Sequence, residues 1–586
     1  MGRTAASPPP APSSKSSGTA TDPRSRGAAT ARSGDGLRET LEALVVAAVA
    51  ALVVRGFEAQ AFVIPTGSMA PTLMGRHKEV VCPQCGFLYS VNASEEVEGS
   101  GPLRPVYSGV CVNCRHQATR LDDAPSYKGD RILVSMFPYD LPSLPGASPP
   151  ERYDVVVFRY PEEPEVSYIK RLVGLPGETI RIHHGDLYIR PPGASDFRLQ
   201  RKPLEHLKGM QIPVYDDTCQ PRIFRERSEW RRWGPEPPTA GWKVGEPGLS
   251  FYRCDAATEE WADLRYRHLV PEPEQWEALL NDRTPSRGPR PTLITDFYSY
   301  NTNLPAENSD LNGSRGDTRN AWLQPHWVGD LTLAADLDVQ SDRGEIRMEL
   351  VKGGVRHFAE IDVATGKTRF LRGEEILAEF DGPVVGPGKR RLEFGNVDDR
   401  LTLLVDGEPI GGEGVEFDLG DAVPEPTAAD LSPAAVSARG AIVSASDLVL
   451  KRDIYYTQTP GYTDYGPVWE DREPRRPSEL FDFLSNPARF PNLARVRSEE
   501  YELGDDRFMM MGDNSPRSKD SRGWDSFDRA WDTVDRQSWE VPRSLVTGKA
   551  FFVYWPHGVP FGPDFRLSRD FRVPFRPYFE RMRWIR

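Results

Sequence analysis

The segment that most restricts this chain is Leu41–Val54, LEALVVAAVAALVV, where Glu42 is the only charge in 14 residues. That is short of the roughly 20 residues a bilayer-spanning helix needs. Continuation through Phe57, Ala59, Ala61, Phe62 and Ile64 supplies the missing length if Arg55 and Glu58 snorkel to the interface. A buried core helix or the apolar region of a signal peptide are the competing readings, and Ala59-Gln60-Ala61 offers a small-x-small cleavage match. The tail ahead of it is longer than a usual basic leader, so we expect a transmembrane helix over residues 38–62. Residues 1–37 are rich in Ala, Ser, Pro, Gly and Thr and cannot bury enough apolar surface to offset the entropy of ordering, so they read as a disordered tail. Up to Arg38 the basic residues are Arg3, Lys15, Arg24, Arg26, Arg32 and Arg38, against Asp22 and Asp35. The positive-inside rule then leaves the N-terminus cytoplasmic and everything after the span on the extracytoplasmic side of a single-pass membrane protein.

That exported part is long. A chain of 586 residues holds several domains' worth of sequence, and its 54 Pro point to loops and turn-rich β structure. A net charge of −13 argues against a nucleic-acid partner held by a general phosphate field. Six Cys are too few for a disulfide scaffold of this size.

Directly after the apolar run comes Ile64-Pro65-Thr66-Gly67-Ser68-Met69-Ala70-Pro71-Thr72-Leu73. A Ser between Gly and Met is most often a turn residue. There is no G-x-S-x-G elbow, and the nine His form no H-E-x-x-H, so a nucleophilic Ser68 would need a base other than His. Short β-branched runs follow at Gly129–Val134, Tyr153–Arg159 and Tyr168–Gly174, and read as strands. Lys170 stands among apolar neighbours in the last of these. Burial lowers the pKa of an amine and can turn it into a general base, although most strand lysines keep the head in water. A third block, Phe508-Met509-Met510-Met511-Gly512-Asp513-Asn514-Ser515-Pro516-Arg517-Ser518-Lys519-Asp520-Ser521-Arg522, is a strand ending in a polar turn.

In this order, the segments P-T-G-S-M-A-P-T-L, G-D-R-I-L-V, Y-D-V-V-V-F…Y-I-K-R-L-V-G-L-P-G-E and M-G-D-N-S-P-R-S-K-D-S-R resemble the bacterial type I signal peptidases, membrane-anchored Ser/Lys proteases that remove signal peptides. The resemblance covers roughly residues 38–81, 127–193 and 500–560, and it implies a catalytic β core, signal-peptide-bearing preproteins and the lipid bilayer as partners, and no cofactor for catalysis. It implies Ser68 as nucleophile and Lys170 as general base, with Ser518 orienting the lysine. The Thr66 hydroxyl and the Ser68 N–H would form the oxyanion hole. Asp513, Asp520 and Arg522 would support the site. Arg171 is expected to face solvent, because adjacent strand residues point to opposite faces.

Two stretches depart from that family. Cys82-Pro83-Gln84-Cys85-Gly86 and Cys111-Val112-Asn113-Cys114 are two Cys-x2-Cys knuckles, which read as a zinc ribbon with a closed structural zinc site, two disulfides being the alternative. Cys219 and Cys254 could pair or stay as thiols. Residues 200–458 hold many runs of period two, among them Leu331–Leu337, Ile346–Val351, Arg400–Val405 and Ser446–Arg452, and read as a β-sandwich. Their order resembles lectin-like, laminin-G-type jelly rolls, implying an envelope protein or glycan ligand or a purely architectural role.

The expected organisation is a mainly β protein: tail 1–37, transmembrane helix 38–62, catalytic core in three parts (63–81, 127–199 and 500–560), zinc ribbon 82–126, lectin-like sandwich 200–458, linker 459–499 and a basic-aromatic C-terminal tail 561–586. A self-cleaving Ser/Lys repressor is disfavoured by the anchor and by the lack of DNA-binding helices. A catalytically idle envelope adaptor, working through its two inserted modules, is the reading of a different class.

Overall fold

The computed structural model describes residues 40–47, 49, 60–96, 104–136, 139, 148–246, 248–255, 259–305, 323–420, 422–469, 473–524, 537–560 and 575–585. It divides into two units, residues 1–56 and 57–586. In the first, residues 40–47 and 49 are helical and exposed. Among the described residues no helix is long and apolar enough to cross a membrane, and most of the span expected over 38–62 lies outside them. At its C-terminal end that expectation is corrected: Gln60–Val63 is a β-strand, because its backbone pairs with Arg131–Val134.

The protein is mainly β. Its first large sheet gathers strands from distant parts of the chain: β1 (Gln60–Val63), β2 (Arg131–Ser135), β3 (Val155–Tyr160), β4 (Glu163–Gly174), β5 (Arg507–Met511), β6 (Val541–Pro542), β7 (Val546–Trp555) and β8 (Arg583–Trp584). The order is β1-β2-β7-β3-β4-β5-β6, with β8 added to β7. β3 and β4 form an antiparallel hairpin in which Val156 faces Lys170 and Val155 faces Arg171. β-Branched Val155, Val156 and Val157 with Phe158 suit a strand covered on both faces, and all four are buried. The strand Thr179–His183 pairs with Asp186–Arg190 and Glu499–Glu502 in a second, four-stranded sheet, and Ile180, Ile182, Met509 and Met511 share its core with Tyr456 of the insertion.

The insertion is a sandwich of an eight-stranded and a seven-stranded antiparallel sheet around one apolar core that includes Trp233, Leu333, Met348, Phe370, Phe394 and Leu450. Its first strand, Ile212–Asp216, pairs with its last, Val443–Arg452, so the chain leaves the catalytic core and returns at neighbouring points. Buried ion pairs seal the junction. Lys202 Nζ lies 2.7 Å from both Asp398 and Asp453 carboxylates, and Lys352 lies 2.5 Å from Asp330 and 3.1 Å from Asp399.

Two expected boundaries move. The ribbon's first strand is His77–Val81, before the knuckle rather than inside 82–126, because it hairpins with Leu88–Asn92. The expected linker 459–499 is a small folded layer, where the helix Pro477–Leu484 packs Leu480, Phe483 and Leu484 against Trp469, Phe490 and Trp327. Aromatic residues spaced irregularly through a Pro-rich stretch gave no periodicity to read. Phe394→Ala, which would leave a cavity in the sandwich core, is expected to lower the unfolding free energy by about 3–5 kcal/mol in urea titration of the purified protein.

Candidate active site

The segment that carries Ser68, the expected nucleophile, is a single 3-10 turn, Gly67–Met69, entered from β1 through Ile64 and Pro65. Two bonds to the start of β2 hold it: the Ile64 N–H donates to the Asp130 carbonyl at 2.9 Å and the Met74 N–H to the Asp130 carboxylate at 2.8 Å. Gly67 is required there, since a Cβ would lie 2.1 Å from the ring of the fully buried Tyr300. Gly512 is required for the same reason, its Cβ position falling 2.2 Å from Ser518 Oγ and 2.4 Å from the Ser68 carbonyl.

Ser68 and Lys170, 102 residues apart, meet: Lys170 Nζ is 2.9 Å from Ser68 Oγ and also donates to the Ile169 carbonyl at 3.0 Å. Lys170 is 4% exposed, and burial pulls its amine down from the ordinary lysine range to about 8, against the pull of Asp520 and Asp513. Thr66 is exposed, and its side chain caps nothing in the turn that follows. Ser518 is buried beside Gly512 and the Ser68 backbone, and its hydroxyl has no hydrogen-bond partner among the described residues. The bond to Lys170 that its expected role requires is therefore not made in this state.

The supporting residues form two buried ion pairs. Arg171 is corrected: it is fully buried, not facing solvent, and it grips both carboxylate oxygens of Asp513 at 2.7 Å while also donating to the Tyr153 carbonyl. Both faces of the end of β4, Lys170–Gly174, are covered, so alternation there moves a side chain from one interior to another. Asp520 and Arg522 pair at 2.7 Å with no exposure, and Asp520 also accepts from the Gly512 N–H at 2.9 Å. Arg522 reaches Ser515 and, at the end of the insertion, Thr457.

Sequence reasoning missed three residues. Asn514 donates from its backbone to the Ser68 carbonyl at 3.1 Å and from its side-chain amide to the Gly67 carbonyl at 3.1 Å. Asn301, deep within the insertion, exchanges two hydrogen bonds with the Asn514 side chain, at 2.7 and 2.8 Å, and Tyr300 caps Gly67. Asn514 stood in a quoted motif, but nothing in the chain near Tyr300 and Asn301 signals a contact with a turn more than 200 residues earlier.

The four knuckle cysteines converge with all sulfurs within 4.8 Å of one another. The Cys82–Cys114 and Cys85–Cys111 separations are 3.6 and 3.7 Å, close to the ~3.8 Å edge of a tetrahedron with ~2.3 Å zinc–sulfur bonds and far from a ~2.05 Å disulfide. The two knuckles share one geometry, with Gly86 and Arg115 left-handed and their N–H groups donating back to the Cys82 and Cys111 carbonyls. The guanidinium of Arg115 lies over Phe297 at 3.2 Å, and Trp276 Nε1 donates to the Cys114 carbonyl. No disulfide joins Cys219 and Cys254. Of the basic C-terminal tail, Arg566, Arg569 and Arg572 lie outside the described residues, while Arg583 donates to the Thr72 carbonyl at 2.8 Å and so braces the nucleophile segment.

Residues 122–211 match the family model described as signal peptidase, peptidase S26. Signal peptidase I of Pseudomonas fluorescens is 51% identical over 146 residues, 24% of this chain and 49% of that protein. Signal peptidase I of Pseudomonas aeruginosa is 54% identical over 59 residues, 9% of this chain and 21% of that protein. The chain thus spans half or less of these relatives' length. A Bacillus subtilis protein of unknown function with a galectin-like fold, 8% identical, aligns over 42% of this chain and 99% of its own at a TM-score of 0.23, too low to carry an argument. The chain is similar to the bacterial type I signal peptidases.

Gly67→Ala is expected to cost about 1–3 kcal/mol of stability through overpacking against Tyr300. In a double-mutant cycle measured by denaturant unfolding, Tyr300→Ala should relieve most of that cost, and strictly additive effects would contradict the contact.

Proposed function

We propose that this chain, built on a peptidase S26 core, is a membrane-anchored signal peptidase that cleaves signal peptides from exported preproteins with a Ser68–Lys170 dyad. The observation that carries the reading is the 2.9 Å approach of a buried, pKa-lowered lysine to a serine on a glycine-shaped turn. The neutral amine of Lys170 takes the Ser68 hydroxyl proton as Oγ attacks the scissile carbonyl. Negative charge then builds on the carbonyl oxygen, where the Ser68 N–H and the Thr66 hydroxyl donate. Protonated Lys170 returns the proton to the leaving amine, and the same lysine activates the water that releases the acyl group. Ser518, buried beside the dyad with an unengaged hydroxyl, positions the lysine once substrate reorders the site.

β1 supplies the substrate-binding edge. It is the outermost strand of its sheet, largely exposed, and its last residue lies five before Ser68, so an extended peptide can add to it as a further strand. A transmembrane anchor over 38–62, corrected to end before Gln60, would place this edge at the extracytoplasmic face of the inner membrane. The four cysteines hold a structural zinc that takes no part in the chemistry. The sandwich serves first as architecture, delivering Tyr300 and Asn301 to the nucleophile turn.

Ser68→Ala and Lys170→Ala should each lower cleavage of a signal-peptide-bearing precursor in detergent by ~10³-fold or more, because members of a catalytic unit fail together. Retained cleavage by either variant would overturn the dyad. Because the active form is the neutral amine, single-turnover cleavage should rise with pH through about 8, with roughly a tenth of the plateau rate at pH 7. Thr66→Val should lose ~10²–10³-fold in kcat, whereas Thr66→Ser should keep most of it.

A further inference from the structure

A second cluster of ligating side chains lies behind the nucleophile turn: His77, Glu79 and His557, whose nitrogen and oxygen atoms all fall within 4.8 Å of one another. His77 and Glu79 stand on the same face of the strand His77–Val81, and His557 follows β7. His77 is fully buried, and its Nδ1 sits 2.7 Å from the Gly75 carbonyl. A carbonyl only accepts, so Nδ1 carries the hydrogen and Nε2 presents a lone pair. That Nε2 has no partner among the described residues. His557 is 4% exposed; among the described residues its Nδ1 has no partner, and its Nε2 meets only the Glu79 carboxylate at 3.4 Å, long for a charge-assisted bond. Among the described residues His77 Nε2 and His557 Nδ1 are left without a partner, and buried unsatisfied ring nitrogens cost free energy unless a ligand takes them.

We propose that His77, Glu79 and His557 bind a divalent transition-metal ion, zinc by preference, at a site separate from the four cysteines. Two imidazoles and a carboxylate are a zinc donor set, and the His77 Nδ1–H bond to a backbone carbonyl is the orienting contact that metal-bound histidines use. His557 also lines a cavity of about 360 Å³ with Tyr127, Gly129 and Trp555, which leaves room for a water on that side of the cluster. Arg581, the nearby cation, is paired with Asp130 at 3.4 Å, and Tyr127 and Tyr578 flank the His557 ring. The ion acts as a positioning device. It clamps the strand His77–Val81 to the segment after β7, and through Gly75, whose Cα abuts the Thr66 carbonyl group so closely that a Cβ would fall 2.2 Å away, it holds the Thr66–Ser68 turn from behind.

The test is metal content of the full chain purified in detergent with zinc and then dialysed, together with the absorption of the cobalt-loaded protein. Wild type should hold two zinc ions per chain. His557→Gln and Glu79→Gln should each hold one and keep the thiolate-to-cobalt charge-transfer band, while Cys82→Ser with Cys85→Ser should lose that band and still hold one cobalt ion with nitrogen–oxygen ligand-field absorption. A wild type with a single ion carrying only the thiolate signature would overturn the site, and so would a His557→Gln protein that still holds two. Glu79, half-buried and replaced by its own isostere, carries the comparison if the His557 variant does not fold.

Discussion

Arg171 and Asp513 join the two halves of the site. Arg171 lies on β4 beside Lys170, and Asp513 opens the turn after β5, one residue before Asn514. A bidentate, fully buried guanidinium–carboxylate pair fixes both distance and orientation. It therefore sets where the lysine strand stands relative to the turn that holds the Ser68 and Gly67 carbonyls. Removing one partner would leave the other charged and dry, costing about 3–5 kcal/mol. The value of the pair is chiefly geometric, since the cost of desolvating two charges offsets much of their attraction.

The insertion is coupled to the same framework at several points. The Asn301–Asn514 exchange, Tyr300 against Gly67 and the Arg522–Thr457 bond all join residues of the insertion to the turns around Ser68 and Asn514. Such contacts turn a long excursion into part of the wall around Ser68 and Lys170. Loop-closure entropy grows only slowly with length, so an insertion of this size costs little once its ends are paired, as Ile212–Asp216 with Val443–Arg452 are.

What the sequence disclosed follows from how local each signal is. The strands of the sandwich were legible because period-two alternation is a property of a few adjacent residues, and the cysteine knuckles because two turns each carry both ligands. Ser68 and Lys170 emerged from ordered motifs, and the structure brings them together. Arg171 was misjudged because alternation distinguishes two faces but does not say whether the second is wet. Asn301, Tyr300 and the histidine–glutamate cluster were invisible because their partners are set by tertiary packing, with His557 separated from His77 by most of the chain. The layer at 459–499 escaped because its aromatic residues obey no repeat.

The lowered pKa of Lys170 shows which of two opposed effects wins. Asp513 and Asp520 both raise the pKa of the amine, and two carboxylates in a dry interior would ordinarily hold a lysine fully charged. Each is already bound to its own arginine, Asp513 to Arg171 and Asp520 to Arg522. The lysine therefore meets two nearly neutral pairs instead of two anions, and the field left over is too weak to offset the loss of hydration. Desolvation prevails, and the amine titrates near 8. The same arginines that fix the geometry of the turns thus also keep the amine low, as the proposed dyad with Ser68 requires, which is why a loss of either arginine would disturb protonation and position together.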